Sequence, residues 1–568
     1  MKPEGRRSGW VRRLCSLWIN SIFFLIFFTA PILFSLAVSP PDLTPCLGPV
    51  SRFLSRQTGL DIRVNGLTLQ TGLSLAMVGQ GVEIRHPDNE TPLFDVRRIL
   101  LRVSPLSWRQ GWLSTSLTLE GANLTVRRRG DGELLLADRG VETMLSGTKS
   151  GSSRIPMTAI SLQDATVTWE DESVQERERP LRTRLTGVHA TAFVELDGSA
   201  HFTAEGRLPD IQPQTRWFAK GERDHQNFWS LRMQVEGLLL SPFAPYLKRL
   251  PPLDGLTPPL DLDVIAQRSA SGLRAQWQAN IGSGSLAWPA VFRWPLPITS
   301  LKADGLLEQT GSLWNLEVKR FDLTSVHGQA GGRMTLTGLG GAESPHLELT
   351  ATASGTRTDQ AKFYYPTRIM HPPLVKWLDN NLKEGQVTRA SAHIRGRLVN
   401  IPAGPRDPRE DLFHIEGEVT GLSLHYFPPL LPLSRITTHL IFDRYGMTAQ
   451  VPSALFGETR KVSGEVRIAN MLDNPTVEIV AESPHVELQS IWKEIVAHPL
   501  LRWDRAVGME GATLTGQGVG GMKLTLPLES LGKMTYSGRL ELKKANFHPP
   551  FLPLPLEDAS GLLTLDAE

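Results

Sequence analysis

Apolar and polar residues alternate along most of this chain. Leu117-Thr118-Leu119 and Leu124-Thr125-Val126 show the pattern, and the turn Gly130-Asp131-Gly132 follows them. Ile160-Ser161-Leu162, Val167-Thr168-Trp169, Met334-Thr335-Leu336, Leu347-Glu348-Leu349, the run 462–468 and Leu524-Thr525-Leu526 repeat it. A period of two is that of a strand whose successive side chains point to opposite faces. The polar partners are Thr, Ser, Arg and Glu, so one face is apolar and the other meets water. Turn signals recur about every 8–15 residues, which predicts a long antiparallel meander rather than βαβ units. Helical spacing is confined to 45–57, 241–250, 372–384 and 486–501. The third of these opens on Pro372 and stops before Gly385, as helix start and stop signals require.

The pattern also repeats at long range. PLPITSLKADGLL around Pro297, LPLSRITTHLIF around Pro432 and LPLPLEDASGLLTL around Pro555 are 135 and 123 residues apart. Helical stretches recur on a similar beat. Each unit is therefore a short helix followed by several strands, burying its edges against its neighbours. The last copy stops partway through such a unit, so the chain is expected to be the N-terminal portion of a longer protein, with a naturally short paralogue as the competing reading.

The first 41 residues differ. No charge occurs from Leu14 to Pro41, and Ile22, Phe23, Phe24, Leu25, Ile26, Phe27 and Phe28 form its most apolar part. As a helix, residues 14–38 would extend about 37 Å, enough to span a hydrocarbon core of about 30 Å. Lys2, Arg6, Arg7, Arg12 and Arg13 precede it against a single Glu4. This places the N-terminus in the cytoplasm and the body across the membrane. A cleaved signal peptide ending near Ser35-Leu36-Ala37 is the alternative; the long apolar run favours an uncleaved, single-pass anchor.

Composition narrows the function. The chain has 568 residues, 40% hydrophobic and 21% charged, which allows a packed core. Lys plus Arg is 60 and Asp plus Glu 58, a net charge of +2, which excludes nucleic-acid binding through bulk positive charge. Cys15 and Cys46 make neither a disulfide scaffold nor a zinc site.

Several motifs invite chemistry without completing it. Gly516-Gln-Gly-Val-Gly-Gly521 fits a nucleotide-binding fingerprint, but the alternating Met522–Leu526 follows it where a helix is required, so it reads as a glycine-rich turn. Ser490–Lys493 and Ser530–Lys533 fit SxxK without companion motifs. His371, His485 and His548 each adjoin a proline, which marks loops or turns rather than metal ligands. Glu170-Asp171-Glu172 reads as a solvated loop. Arg127-Arg128-Arg129 reads as a solvated turn, with anionic head groups as its functional alternative. Asn89 and Asn123 head glycosylation triplets that matter only in a eukaryotic secretory setting. No acid, base or nucleophile cluster converges, so no enzyme activity, cofactor or metal is expected.

A family resemblance rests on three runs. Residues 58–136, opening Thr58-Gly59-Leu60-Asp61 and carrying Gly81-Val82-Glu83-Ile84 and the stretch Pro92–Leu136, resemble the N-terminal module of the AsmA-like family. YYPTRIMHPPLVKWLDNNLKEGQVTRASAHIRGRLVNIP (364–402) and FHIEGEVTGLSLHYFPPLLPLSRI (413–436) resemble its YhdP branch. The resemblance implies a mainly β fold: an elongated, twisted antiparallel sheet curled into an apolar groove, with a few short helices and one N-terminal transmembrane helix. It implies a protein of a diderm envelope, anchored in the inner membrane with its body in the periplasm, that moves phospholipid towards the outer membrane. Its expected partners are membrane phospholipids, the inner membrane and envelope proteins at either membrane. Leu117, Leu119, Leu124, Val126, Val167, Trp169, Leu347, Leu349, Leu524 and Leu526 would line the groove, and Asp at Leu124 or Leu524 would block passage without unfolding the sheet. The competing reading is a factor for outer-membrane protein assembly or envelope homeostasis that acts through protein partners. The organisation expected is a basic terminus (1–13), the anchor (14–38), an AsmA-like module (43–140), a β-rich segment (141–240) and three groove repeats (241–360, 361–483 and a truncated 484–568).

Overall fold

The computed structural model describes residues 41–568 apart from 59–60, 72–73, 86–91, 105–113, 137–138, 141–156, 177–178, 196, 227, 244–254, 270–271, 369, 402–410, 426–431, 458–459, 498–510, 551–552 and 568, together with Phe27, Pro31, Ser35, Val38 and Ser39. The expected anchor thus lies outside the described residues except for these few positions. Among the described residues no helix is long and apolar enough to cross a membrane.

The chain forms two compact units. One contains residues up to Tyr246 with Asp261–Ala270; the other contains Leu247–Leu260 with Ser271–Glu568. The first starts with helix α1 (Leu47–Thr58) and continues as strands β1 (Asp61–Gln70), β2 (Leu75–Arg85), β3 (Pro92–Ser104), β4 (Ser114–Arg128), the short β5 (Leu134–Leu136) and β6 (Arg139–Gly140), then β7 (Met157–Glu176), β8 (Arg179–Val194), β9 (Ala200–Arg207), β10 (Arg216–Arg223) and β11 (Trp229–Leu238). β12 (Leu260–Ser269) runs across the boundary. In β9 (AHFTAEGR) half-buried and exposed residues alternate at every position, the plainest case of the period-two signal.

One pairing departs from the expected antiparallel order. β4 and β7 run parallel, with Leu117 beside Ile160 and Val126 beside Trp169. A hairpin cannot join parallel neighbours, which need a connection of a dozen residues or more. The segment after Arg128 supplies it: the chain turns at Gly132, pairs back along β4 as β5, and later re-enters beside β4. Period-two alternation does not depend on strand direction, so the sequence could not reveal this.

The second unit contains β13 (Gly272–Ile281), the separate pair β14 (Gly284–Leu286) and β15 (Leu296–Ile298), then β16 (Ser300–Thr310), β17 (Leu313–Ser325), β18 (Gly328–Leu339), β19 (His346–Ser354), the short β20 (Thr356–Arg357), β21 (Gln386–Arg397), β22 (Leu412–Leu424), β23 (Leu433–Asp443), β24 (Gly446–Phe456), β25 (Arg460–Ile468), β26 (Thr476–Glu487), β27 (Thr513–Pro527), β28 (Thr535–His548) and β29 (Leu556–Ala567). Consecutive long strands pair antiparallel from β16 to β29, with β19 joining β21 directly. Helix α2 (Pro372–Asn381) starts with prolines in its first turn and gives way to an extended Leu382. Helix α3 (Leu488–Ala497) follows β26. The stretch 241–250 yields only a 3-10 turn, Ser241–Phe243, among its described residues. The glycine-rich 516–521 lies inside β27 rather than in a turn.

Bulges line up across each unit. In the first, Gly81, Gly121, Asp164 and Gly187 have φ of 58°, 63°, 51° and 57° on β2, β4, β7 and β8. The extra residue inverts the side-chain parity, so Leu119 and Ala122 join one buried cluster although three positions apart. A bulge bends its strand, and bulges at neighbouring positions crease the sheet along a line. In the second unit the register shifts at Val419/Leu422, Ser434/Thr437, Val451/Ala454, Ser483/Val486, Thr515/Gln517 and Leu542/Ala545 mark a similar crease. The long-range repeat extends to the backbone here: Arg435 and Asp558, each three residues after the aligned proline, both have positive φ, 48° and 51°.

Candidate functional site

Cross-strand partners share a face, so following the register across the strands shows what each face presents. In the second unit one row starts Ile281–Leu301–Leu323–Ala330–Ala353–Ala390–Gly417. It continues Leu440–Ala449–Val466–Ile479–Leu524–Tyr536–Ala567. From β13 to β29 this row contains no charged residue. The neighbouring row on the opposite face reads Asn280–Lys302–Asp322–Gly331–Thr352–Ser391–Glu416 and then Ile441–Thr448–Arg467–Glu478–Thr525. One face is thus apolar along this row from β13 to β29, and the opposite face is mainly polar.

The first unit repeats the arrangement. One row is Leu69–Met77–Leu101–Leu117–Ile160–Ala192–Phe202–Gly221–Leu231. The next, closer to the crease, includes Ile99–Leu119–Leu162–Ala190–Ala204–Ala219–Met233. Burial follows distance from the crease. Val96, Ala122 and Ala165 at the crease are fully buried, Leu119 nearly so, Leu117 half-buried, and Ile160 and Met77 are 41% exposed. Apolar side chains at the crease are thus closed off, and those away from it reach solvent.

All ten residues expected to line a groove belong to these apolar faces. Leu124 and Val167 pair with each other, as do Val126 and Trp169, across the parallel strands. Leu347 pairs with Leu336 and Leu349 with Met334. Their accessibility differs. Leu124 is buried in the first unit's cluster, while Leu524 and Leu526, 1% and 0% exposed, lie inside a cluster that also contains Leu422, Ile436 and Leu374 of α2. Asp at Leu124 or Leu524 would therefore disrupt the fold, contrary to expectation, because a carboxylate buried there has no partner. Ala330, Ala353, Ala390 and Gly417, half-buried on the same row, were not legible as lining. Small residues carry little hydrophobic signal, and only the register with Leu323 and Leu440 places them.

The polar face carries paired charges: Arg98–Glu120 at 3.2 Å, Arg274–Glu308 at 3.2 Å and Arg539–Glu482 at 2.8 Å. Each such exposed pair contributes little stability; together they keep this face wet. His414 is 2.8 Å from Glu416, and this hydrogen bond lowers the Glu416 pKa from its ordinary value. The Arg184 hydrogen bond likewise holds Asp210 below the usual carboxylate range, and Arg232 does so for Asp263.

Two polar clusters differ from expectation. Glu170-Asp171-Glu172 lies within β7, not in a loop, and Asp171 is fully buried. Arg127 pairs with Glu170 and Glu172, Arg128 with Asp171, and Arg129 with Glu133. The arginines are therefore matched by the chain's own carboxylates. Among the described residues no group of His, Cys, Asp and Glu is placed to hold a metal ion. His371 lies 3.0 Å from Glu529, and Cys46 is exposed and free.

The model of the YhdP protein family matches residues 263–568, and the chain belongs to that family. No curated protein matches it.

Proposed function

We propose that this member of the YhdP family carries phospholipid along its apolar face between the two membranes of a diderm envelope. The N-terminal segment anchors it in the inner membrane with residues 1–13 in the cytoplasm, and the body occupies the periplasm. The observation that supports this best is the unbroken apolar row from Ile281 to Ala567 opposite a polar face. A diacyl lipid has about thirty methylenes, and exposing them to water at ~0.8 kcal/mol each costs on the order of 20 kcal/mol. A continuous apolar surface removes most of that barrier while the head group stays in water. No selective pocket is needed, and weak contacts let lipid leave. A protein-assembly role would instead rest on client strands pairing with exposed edges.

The test is native mass spectrometry of the body, residues 43–568, purified without detergent from an envelope. Several phospholipids per chain support the conduit. A folded body with none overturns it and directs attention to protein clients.

A further inference from the structure

One part of the apolar face is roofed. Leu374 and Val375 of α2 are buried, and Leu374 packs into the same cluster as Val466 and Leu524, with Trp377 and Leu378 beside it. The helix is attached to the sheet differently at its two ends. Past its C-terminal end the backbone is bonded to the end of β22: Lys383 N–H donates to the Ser423 carbonyl and Ser423 N–H to that of Glu384. Before its first turn Arg368 N–H donates to the Val291 carbonyl in the β14–β15 connection, and side chains hold the helix itself. His371, just before the first turn, lies 3.0 Å from Glu529, and Asp379 accepts a hydrogen bond from Arg293 at 2.8 Å. Arg293 lies between β14 and β15, and Glu529 follows β27, so segments far apart in strand order meet on one short helix.

The side-chain fastening is incomplete. His371 Nδ1 and Asp379 Oδ1 are buried without a hydrogen-bond partner. Buried polar atoms are normally satisfied, and exceptions call for an explanation. Here both lie at the points where α2 is pinned, and both would gain water if the helix lifted. The apolar underside opposes lifting, because it would expose Leu374 and the face beneath. An acyl chain entering there would replace those contacts.

We infer that α2 is a hinged lid on the apolar face, fixed by backbone bonds at Lys383–Glu384 and latched by His371–Glu529 and Arg293–Asp379, and that it lifts to admit acyl chains over β22–β27. This rests on the conduit reading. It assigns the region under α2 as the gated stretch and the half-buried row around Ala353 and Ala390 as the open one.

Hydrogen exchange on the whole chain tests it, with and without vesicles of phosphatidylethanolamine and phosphatidylglycerol, and with bound lipid counted by native mass spectrometry. Two forms are compared: the unaltered protein and the double variant Arg293→Ala, Glu529→Ala. Lipid loading is expected to speed exchange in 372–381 about tenfold while β24–β27 stays protected. The double variant is expected to show the same opening without lipid. Lipid bound by both forms, with 372–381 as protected as the sheet throughout, overturns the lid and leaves the conduit standing. Lipid bound by neither form overturns the conduit, and the lid's role with it.

Discussion

Arg128 Nη1 lies 3.3 Å from Asp171 Oδ2, across the one parallel pairing described in the first unit. Asp171 is fully buried, and its other oxygen accepts hydrogen bonds from the Ser173 amide and hydroxyl. The pair fastens the end of β4 to the interior of β7, strands separated by a long connection, so it helps hold a junction that local turns cannot.

Asp171→Ala removes the carboxylate that Arg128 and Ser173 share. Loss of about 2–4 kcal/mol is expected, with Asp171→Asn milder because it keeps an acceptor for Ser173. Chemical denaturation of both variants measures this; equal midpoints for Asp171→Ala and the unaltered protein would remove the pair's structural role.

Gly121 sits on the crease at φ 63°, and a Cβ there would meet the Arg97 guanidinium at 2.7 Å. Gly121→Val would combine a left-handed conformation disfavoured for a β-branched residue with that contact. We expect a loss of about 2–3 kcal/mol, with Gly121→Ala less affected because the end of Arg97 can swing away. Thermal melting of the two variants separates them.

On the apolar face, position decides whether a charge blocks or unfolds. Ile160→Asp and Ala353→Asp place a carboxylate where water reaches it, and each should greatly reduce copurifying lipid while melting changes by only a few degrees. Leu524→Asp buries the carboxylate and should lower the yield of folded protein, at a cost of several kcal/mol. Lipid counts and melting curves measured on the same preparations check both outcomes. Normal lipid loading in the folded Ile160 and Ala353 variants would count against the conduit.

Tyr365, near Arg293 and Asp379, has its pKa pushed up to about 12 from 10.0, first by burial and then by the Asp379 charge, with Arg293 opposing. The folded value is above the unfolded one, so this contribution is full below pH 10 and is lost as pH rises towards 12. Stability should fall over that window, and Tyr365→Phe should flatten the fall. Denaturation midpoints at a series of alkaline pH values measure it; identical slopes for the two proteins would place Tyr365 in water.

The strands were legible because alternation is local: Leu117-Thr118-Leu119 reads the same wherever its strand ends up. The helix 372–381 was legible from its opening prolines and apolar spacing, and the family from the order of its runs. The burial of Asp171 was not, because a run of acidic residues reads as a wet loop until Arg128 is brought alongside. Nor was the roof over Leu524, since Leu374 and Leu524 are 150 positions apart.

By itself, then, the sequence determined that the body is built of strands, and that most of them have one greasy and one wet side. Tertiary structure alone decided three things: that β4 and β7 run parallel, that bulges invert the alternation along a crease, and that α2 covers part of the apolar face. The physical reason is range. Side-chain alternation is set by bonds between neighbouring residues, whereas register, strand direction and coverage are set by contacts between segments that meet only when the sheet has formed.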